Sequence, residues 1–220
     1  VGRKRSSILD LDKLVDTATS MVAPGKGLLA ADESSGTIKK RFDSINVEST
    51  EKNRLSYREM LFRTEGISKF LSGVILYDET LRQRSALDGA PLVEILQKQG
   101  IIPGVKVDKS TNRLAGTLNE LTTDGLDGLR ERLTEYYQIG ARFTKWRAVI
   151  TIGDNIPTDY CIEVNAHLLA RFAALSQEAN MVPIVEPEVL MDGNHDIDQC
   201  YKVTTNVLNE CYNELEIHKV

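Results

Sequence analysis

Long hydrophobic runs are missing from this sequence: no stretch is both long enough and apolar enough to cross a bilayer as a helix, which argues against a membrane partner. The amino end, with Arg3, Lys4 and Arg5, lacks the apolar centre of a secretion signal. Basic excess is missing too. Lysine and arginine number 27 against 32 aspartate and glutamate, a net charge of -5, whereas a nucleic-acid-binding surface shows clustered positive charge. Cysteine is scarce, with only Cys161, Cys200 and Cys211. Their odd number and the lack of any CxxC spacing argue against a disulfide framework or a zinc site and suit a reducing cytoplasm. No linker, low-complexity stretch or acidic tail interrupts the chain. One domain over residues 1–220 is therefore expected, with 1–25 as an N-terminal helical extension and 26–220 as the body.

What the sequence does contain is alternation. Leu11, Leu14, Val15, Ala18 and Val22 recur at helical spacing, and Pro24-Gly25 closes the segment. Five short apolar runs follow: Gly27–Asp32, Phe70–Asp78, Ile101–Asp108, Arg142–Ile150 and Val182–Glu188. Such near-continuous runs predict strands buried on both faces. Helical patterns lie between them, in Asn53–Gly66, along Leu126, Leu129, Leu133 and Tyr136, through Tyr160–Ala179 and through Asp196–Leu215. Strands separated by helices imply right-handed βαβ units and a parallel sheet. A doubly wound sheet usually carries a GxGxxG turn after its first strand. Here Ala31-Asp32-Glu33-Ser34-Ser35-Gly36 stands in that place. The polar residues collect at strand ends instead, which favours an α/β fold of the (β/α)8 TIM-barrel type.

Those strand ends are charged one after another: Asp32; Asp78 with Glu79; Lys106 with Asp108; Lys145 with Arg147; Glu186 with Glu188. Residues two apart on a strand share a face, so each of the last three pairs points one way. A single charge at a strand end is ordinarily a solvated loop residue, and Lys145 with Glu186 would also serve as a plain structural ion pair. Recurrence on successive strands favours a polar active site, because charges at the ends of buried strands are costly unless paired or serving a ligand. Lys106, Lys145 and Arg147, with Arg41 and Arg54 from the loop and helix beyond the first strand, form a basic set suited to phosphates or carboxylates. Carboxylates beside lysines suit proton transfer. His167 and His195 lack metal-ligand spacing. Ser34-Ser35-Gly36 fits a helix cap and a phosphate cradle equally well.

Four strings carry a specific resemblance. Leu28-Leu29-Ala30-Ala31-Asp32-Glu33-Ser34, Pro103-Gly104-Val105-Lys106-Val107-Asp108, Phe143-Thr144-Lys145-Trp146-Arg147 and Ile184-Val185-Glu186-Pro187-Glu188-Val189-Leu190 closely resemble successive strand motifs of class I (Schiff-base) fructose-bisphosphate aldolases. The resemblance runs in order from the first helix to the last residue. It implies a (β/α)8 barrel that reversibly cleaves fructose 1,6-bisphosphate into dihydroxyacetone phosphate and glyceraldehyde 3-phosphate, in glycolysis and gluconeogenesis. The implied route is a lysine imine, with no metal and no cofactor. Asp32 then resembles the acid–base group near the C4 hydroxyl, and Glu186 the group moving protons as the carbinolamine forms and dehydrates. Lys145 resembles the cation that binds substrate and keeps the imine lysine reactive, while Glu188 orients this network. Lys106 and Arg147 line the cavity, and Arg41, Arg54 and Thr37 match positions near a substrate phosphate.

The resemblance also marks a departure. The family's imine lysine lies in a Leu-Leu-Lys-Pro-Asn-Met stretch on strand six, and these 220 residues contain no such stretch. The chain supplies an N-terminal helix and about five βα units, where a whole barrel takes about 250 residues or more. It is therefore expected to be a portion of a longer protein; standing alone it should lack aldol activity and expose sheet edges at its first and fifth strands. Two other readings compete with the enzyme. One is a non-catalytic aldolase-like module that binds or assembles with partners such as cytoskeletal proteins. The other is a transaldolase-like lyase, against which the Glu186-Pro187-Glu188 and Lys145-Trp146-Arg147 strings argue. A cytoplasmic homotetramer acting on a phosphorylated ketose, without nucleic-acid or membrane partners, completes what the resemblance implies.

Overall fold

The computed structural model describes residues 9–220, so Arg3, Lys4 and Arg5 lie outside the described residues. In chain order the elements are helix α1 (Leu11–Met21), strand β1 (Gly27–Ala31), helices α2 (Ser35–Asp43) and α3 (Glu51–Phe62), strand β2 (Leu71–Leu76) and helices α4 (Asp78–Arg82) and α5 (Leu92–Lys98). There follow strands β3 (Ile102–Lys106), β4 (Ser110–Arg113) and β5 (Leu121–Asp124), helix α6 (Leu129–Ile139), strand β6 (Phe143–Ile150), helix α7 (Asp159–Glu178), strand β7 (Val182–Val189) and helix α8 (Ile197–Ile217).

Five strands form one sheet in the order β1-β2-β3-β6-β7, and β4 pairs antiparallel with β5 as a separate hairpin. Strands β1, β2 and β3 are parallel, with Leu29 opposite Val74 and Val74 opposite Pro103. With the hairpin set aside, spatial order follows chain order throughout. A barrel requires that progression, whereas a doubly wound sheet reverses it at a switch point. The five expected strands are these five: β1, β2, β3 and β6 lie within the expected runs, shorter by one to three residues, and β7 runs one residue further, to Val189. Burial on both faces holds for β2 but not for β1 or β7, which are the outer strands: Leu28 is 37% exposed, and every residue of β7 is only half-buried. The β4–β5 hairpin carries no alternating apolar pattern, β4 being exposed throughout, which is why the periodicity did not indicate it.

The described residues group into two compact units. The first comprises the chain up to Lys106 with Thr134–Thr144 and Asn180–Val182. Its core includes Ile38, Phe62, Val74, Leu76, Leu92, Leu96, Val105 and Phe143. Phe143 lies so close to the backbone at Gly104 that a β-carbon there would overlap its ring. The second unit comprises Val107–Leu133, Lys145–Ala179 and Pro183–Val220. Trp146 is buried and stacks on Phe172 of α7, with ring centroids 5.5 Å apart, and Val207 and Cys211 of α8 are buried as well.

Capping explains where the helices begin. Side chains of Asp10, Ser34, Thr50, Thr158 and Asp196 each accept from the backbone N–H three residues on, satisfying one of the first-turn donors that a helix leaves open. Thr50 thus starts α3 at Glu51, ahead of the expected Asn53. Among the described residues no helix is long and apolar enough to cross a membrane.

Candidate active site

In the first unit, the turn after β1 places Asp32 with only 8% of its surface exposed. Its neighbour Glu33 is held from two sides. The exposed Arg41 of α2 donates from Nη1 to Glu33 Oε1, and Arg58 of α3 donates from Nη2 to the Glu33 carbonyl oxygen at 2.6 Å. Arg54 and Arg58, four residues apart on α3, share a face. Arg54 forks onto Glu79, with Nε 2.8 Å from Oε2 and Nη2 2.5 Å from Oε1, and also donates from Nη1 to the Ser49 carbonyl oxygen. Arg58 is wholly buried, and its Nη1 lies 3.7 Å from Glu79 Oε2. Burial pushes the Arg58 guanidinium below its ordinary pKa against the pull of Glu33 and Glu79, whereas the Glu79 hydrogen bonds raise that of Arg54.

Thr37 is exposed in the first turn of α2, where its N–H meets Ser34 Oγ at 3.3 Å and its hydroxyl lies 3.1 Å from the same oxygen. The cap reading of Ser34 is therefore realised in the geometry. Lys106 closes β3 and is half-buried. Asp78, grouped with Glu79 in the sequence, goes elsewhere: it opens α4 and pairs with Arg82, which in turn binds Glu135.

In the second unit the alternation along β6 governs the site. Trp146 and Ala148 face a buried side, while Lys145 and Arg147 share the other and are half-buried. Glu186 and Glu188 stand two apart on β7 and meet them as two parallel rungs. Lys145 Nζ lies 3.0 Å from Glu186 Oε2, and Arg147 Nε donates to Glu188 Oε2. Asp108 Oδ2 accepts the Arg147 backbone N–H at 3.2 Å, and Thr123 of the hairpin donates to the Arg147 carbonyl oxygen at 2.9 Å. Arg147 is held above its ordinary pKa, first by the Glu188 hydrogen bond and then by the nearby negative charges of Glu188, Glu186 and Asp108.

The expected residues therefore fall into two sets: Asp32, Thr37, Arg41, Arg54 and Lys106 in one unit, and Lys145, Arg147, Glu186 and Glu188 in the other. Sequence reasoning missed Arg58, the buried partner of Glu33 and Glu79. The signal available was its spacing of four from Arg54 on a predicted helix. Chemically, the second set is a lysine and an arginine each neutralised by its own carboxylate on adjacent strand positions. A carboxylate set beside a cation in this way is the arrangement that general acid–base chemistry uses.

The family model described as "Glycolytic: Fructose-bisphosphate aldolase class-I" matches residues 13–220. A probable fructose-bisphosphate aldolase class 1 from Xanthomonas campestris is 56% identical over 207 residues, which cover 94% of this chain and 62% of the relative. Fructose-bisphosphate aldolase 4, cytosolic, from Arabidopsis thaliana is 52% identical over all 220 residues, 56% of its own length. Among solved structures, fructose-bisphosphate aldolase from Plasmodium falciparum, in complex with TRAP and a small-molecule inhibitor, superposes with a TM-score of 0.91 at 48% identity. That match covers 97% of this chain and 61% of the other. The chain thus carries the N-terminal helix and first five strands of the barrel, and spans about 60% of the length of the relatives it matches. On the strength of the matched span, the shared fold and the identity to these relatives, the chain belongs to the class-I fructose-bisphosphate aldolase family.

Proposed function

We propose that the protein carrying this chain cleaves fructose 1,6-bisphosphate reversibly to dihydroxyacetone phosphate and glyceraldehyde 3-phosphate through a lysine imine, the imine lysine lying outside these 220 residues. The observation that carries this reading is the pair of rungs Lys145–Glu186 and Arg147–Glu188 within a chain of this family. In this scheme Glu186, beside Lys145, takes and returns protons as the lysine amine adds to the substrate carbonyl and the carbinolamine loses water. The Lys145 charge favours the neutral, nucleophilic form of the imine lysine and binds substrate. Asp32, nearly buried beyond β1, accepts the C4 hydroxyl proton as the C3–C4 bond breaks. Glu188 holds Arg147 in place, Lys106 and Arg147 bind substrate, and Arg41, Arg54 and Thr37 serve a phosphate. The 220 residues form part of a single barrel domain. The protein acts in the cytoplasm as a homotetramer, and neither a metal nor a cofactor enters the reaction.

The test is reduction of the protein with borohydride in the presence of dihydroxyacetone phosphate. A covalent adduct is expected by mass, and Glu186→Gln should lower the cleavage rate by roughly 10²–10⁴-fold, the scale of one general acid–base group. Failure to trap an adduct would favour a second reading, a non-catalytic aldolase-like module that binds other proteins. That reading draws on the outer face of α8, where Ile197, Tyr201, Leu208 and Tyr212 are exposed.

A further inference from the structure

Helices α7 and α8 pack against one another in the second unit. Near the end of α8 they bring together three side chains to which the aldol chemistry gives no role. Glu214 lies in the last turn of α8 and His218, four residues on, caps that helix, while His167 reaches them from α7. Nδ1 of His167 lies 3.0 Å, and Nδ1 of His218 3.4 Å, from the same Glu214 oxygen, Oε2. The two imidazoles meet edge to face with centroids 4.9 Å apart. One ligand atom from each of the three residues lies within 4.8 Å of the others.

The surroundings prepare this cluster for a ligand. His218 Nδ1 is also 2.8 Å from the Glu214 carbonyl oxygen. A carbonyl oxygen only accepts, so Nδ1 donates in that bond and Nε2 is the ring nitrogen that remains for a ligand. Metal-bound histidines are commonly oriented by a second bond of this kind. The His218 and Glu214 side chains are mostly covered, at 21% and 17% exposed, whereas His167 is 48% exposed. His218 also lines an open cavity of about 470 Å³ with Leu126, Leu129, Arg171 and Leu175, which gives an ion a way in.

We propose that His167, Glu214 and His218 form a binding site for a divalent transition-metal cation, Zn²⁺ foremost, with water completing its coordination. Two imidazoles with one carboxylate suit zinc and its neighbours, whereas magnesium and calcium prefer oxygen donors throughout. Tetrahedral zinc with bonds near 2.0–2.2 Å sets its ligand atoms roughly 3.3–3.5 Å apart, so the cluster must tighten by about 1.5 Å at most. Rotation of the half-exposed His167 ring supplies that movement. Arg171, one turn beyond His167, opposes a cation, and Glu210, one turn before Glu214, favours it; both lie near solvent, where salt screens them. The Glu214–His218 spacing was visible in the sequence, but a pair at i and i+4 gains a third ligand only through the packing of α7 on α8.

Titration of the metal-free protein with ZnCl₂ by calorimetry tests the site. One saturable site with a Kd of about 10 μM or tighter is expected. His167→Ala and His218→Ala should each weaken it by at least about tenfold, and Cys200→Ser, the partly exposed thiol of α8, should leave it unchanged. Because His167 is half exposed, its replacement should leave the circular dichroism spectrum intact, so lost binding would not reflect unfolding. Co²⁺ in place of zinc should give visible ligand-field bands without a thiolate charge-transfer band. Three results would each overturn the proposal: no saturable binding below about 1 mM zinc, affinity unchanged in His167→Ala and His218→Ala, or binding lost in Cys200→Ser. The cluster would then be a hydrogen-bonded clasp between two helices.

Discussion

Replacing Arg58 by methionine tests whether a wholly buried guanidinium stabilises this fold. The group has no solvent contact, and its Nε and Nη1 make no hydrogen bond. Its firm attachment is Nη2 to the Glu33 carbonyl oxygen at 2.6 Å, a charge-assisted bond of about 1.5–3 kcal/mol. Its ion pairs are longer, 3.9 Å to Glu33 and 3.7 Å to Glu79, and both carboxylates keep another arginine, Arg41 and Arg54 respectively. Against these gains stands desolvation, the main force pushing the Arg58 pKa down. Breaking a buried ion pair generally costs about 3–5 kcal/mol because the partner is stranded. Here both carboxylates keep another arginine and only the Glu33 carbonyl oxygen loses its donor, while methionine refills most of the volume, so the loss should be about 2–3 kcal/mol. With a urea m-value of about 2 kcal/mol/M, the unfolding midpoint should fall by roughly 1–1.5 M at constant slope. Arg58→Lys should recover only part of it, because an ammonium cannot span the Glu33 carbonyl and Glu79 together. An unchanged or higher midpoint for Arg58→Met would refute the reasoning: the buried charge would then cost more than its contacts return.

Four further expectations follow from local geometry. Gly104→Ala drives a methyl group into the Phe143 ring and should cost about 1–3 kcal/mol, a drop of several degrees in the calorimetric midpoint; an unchanged midpoint would show that the ring moves aside freely. Thr158→Ala removes the cap of α7, whose hydroxyl accepts from Cys161 N–H at 3.1 Å and donates to the buried Glu120 at 2.8 Å; a loss of about 1–2 kcal/mol in urea unfolding is expected. The Asp88 carboxyl is held at about 2, below its ordinary 3.8, first by the Ala90 N–H and then by Arg63 and Ser85. A depressed folded pKa contributes stability in full above 3.8 and loses it as pH falls towards about 2, so Asp88→Asn should flatten the acid limb of stability against pH in that window. Burial, ahead of the neighbouring carboxylates, pushes the Cys161 and Cys211 thiols up to about 12, so a thiol reagent should label the half-buried Cys200 in the native protein and reach the other two only on unfolding, as read by mass spectrometry.

Strand positions were the most legible part of the fold, because a buried parallel strand needs an unbroken apolar run and little else produces one so short. Helix faces were less so. Within the helical pattern of Tyr160–Ala179, the larger apolar residues at helical spacing, Cys161, Val164, Leu168, Phe172 and Leu175, coincide only in part with the buried face, which is Cys161, Ile162, Asn165, Ala166, Leu169, Ala170, Phe172, Ala173 and Ser176. Small residues on a helix pack closely while adding little to a hydrophobicity pattern, so Ala166, Ala170 and Ala173 were passed over. In α1, Leu14 is buried, whereas Leu11 and Val15 are exposed, as is Val22, which caps the helix. Amphipathic spacing fixes which residues share a face; tertiary contacts decide which edge of that face is covered.

The pairing within the candidate site was legible where its geometry is local to a strand and illegible where partners come from elsewhere. That Lys145 and Arg147 share a face follows from the two-residue period, and so does the match of Glu186 with Glu188. Two rows of that period on neighbouring strands can meet only as rungs, and they do. The arginines of the first unit obey no such rule. Arg54 is sequestered by Glu79 in a forked pair, so a phosphate can gain it only by competing with that carboxylate, whereas Arg41 is itself largely exposed and meets its carboxylate, Glu33, through one nitrogen. Of the two arginines proposed to serve a phosphate, Arg41 is therefore the one whose replacement should raise KM first. Arg54→Ala should instead appear mainly as lost stability, with Glu79 left to Arg58 alone.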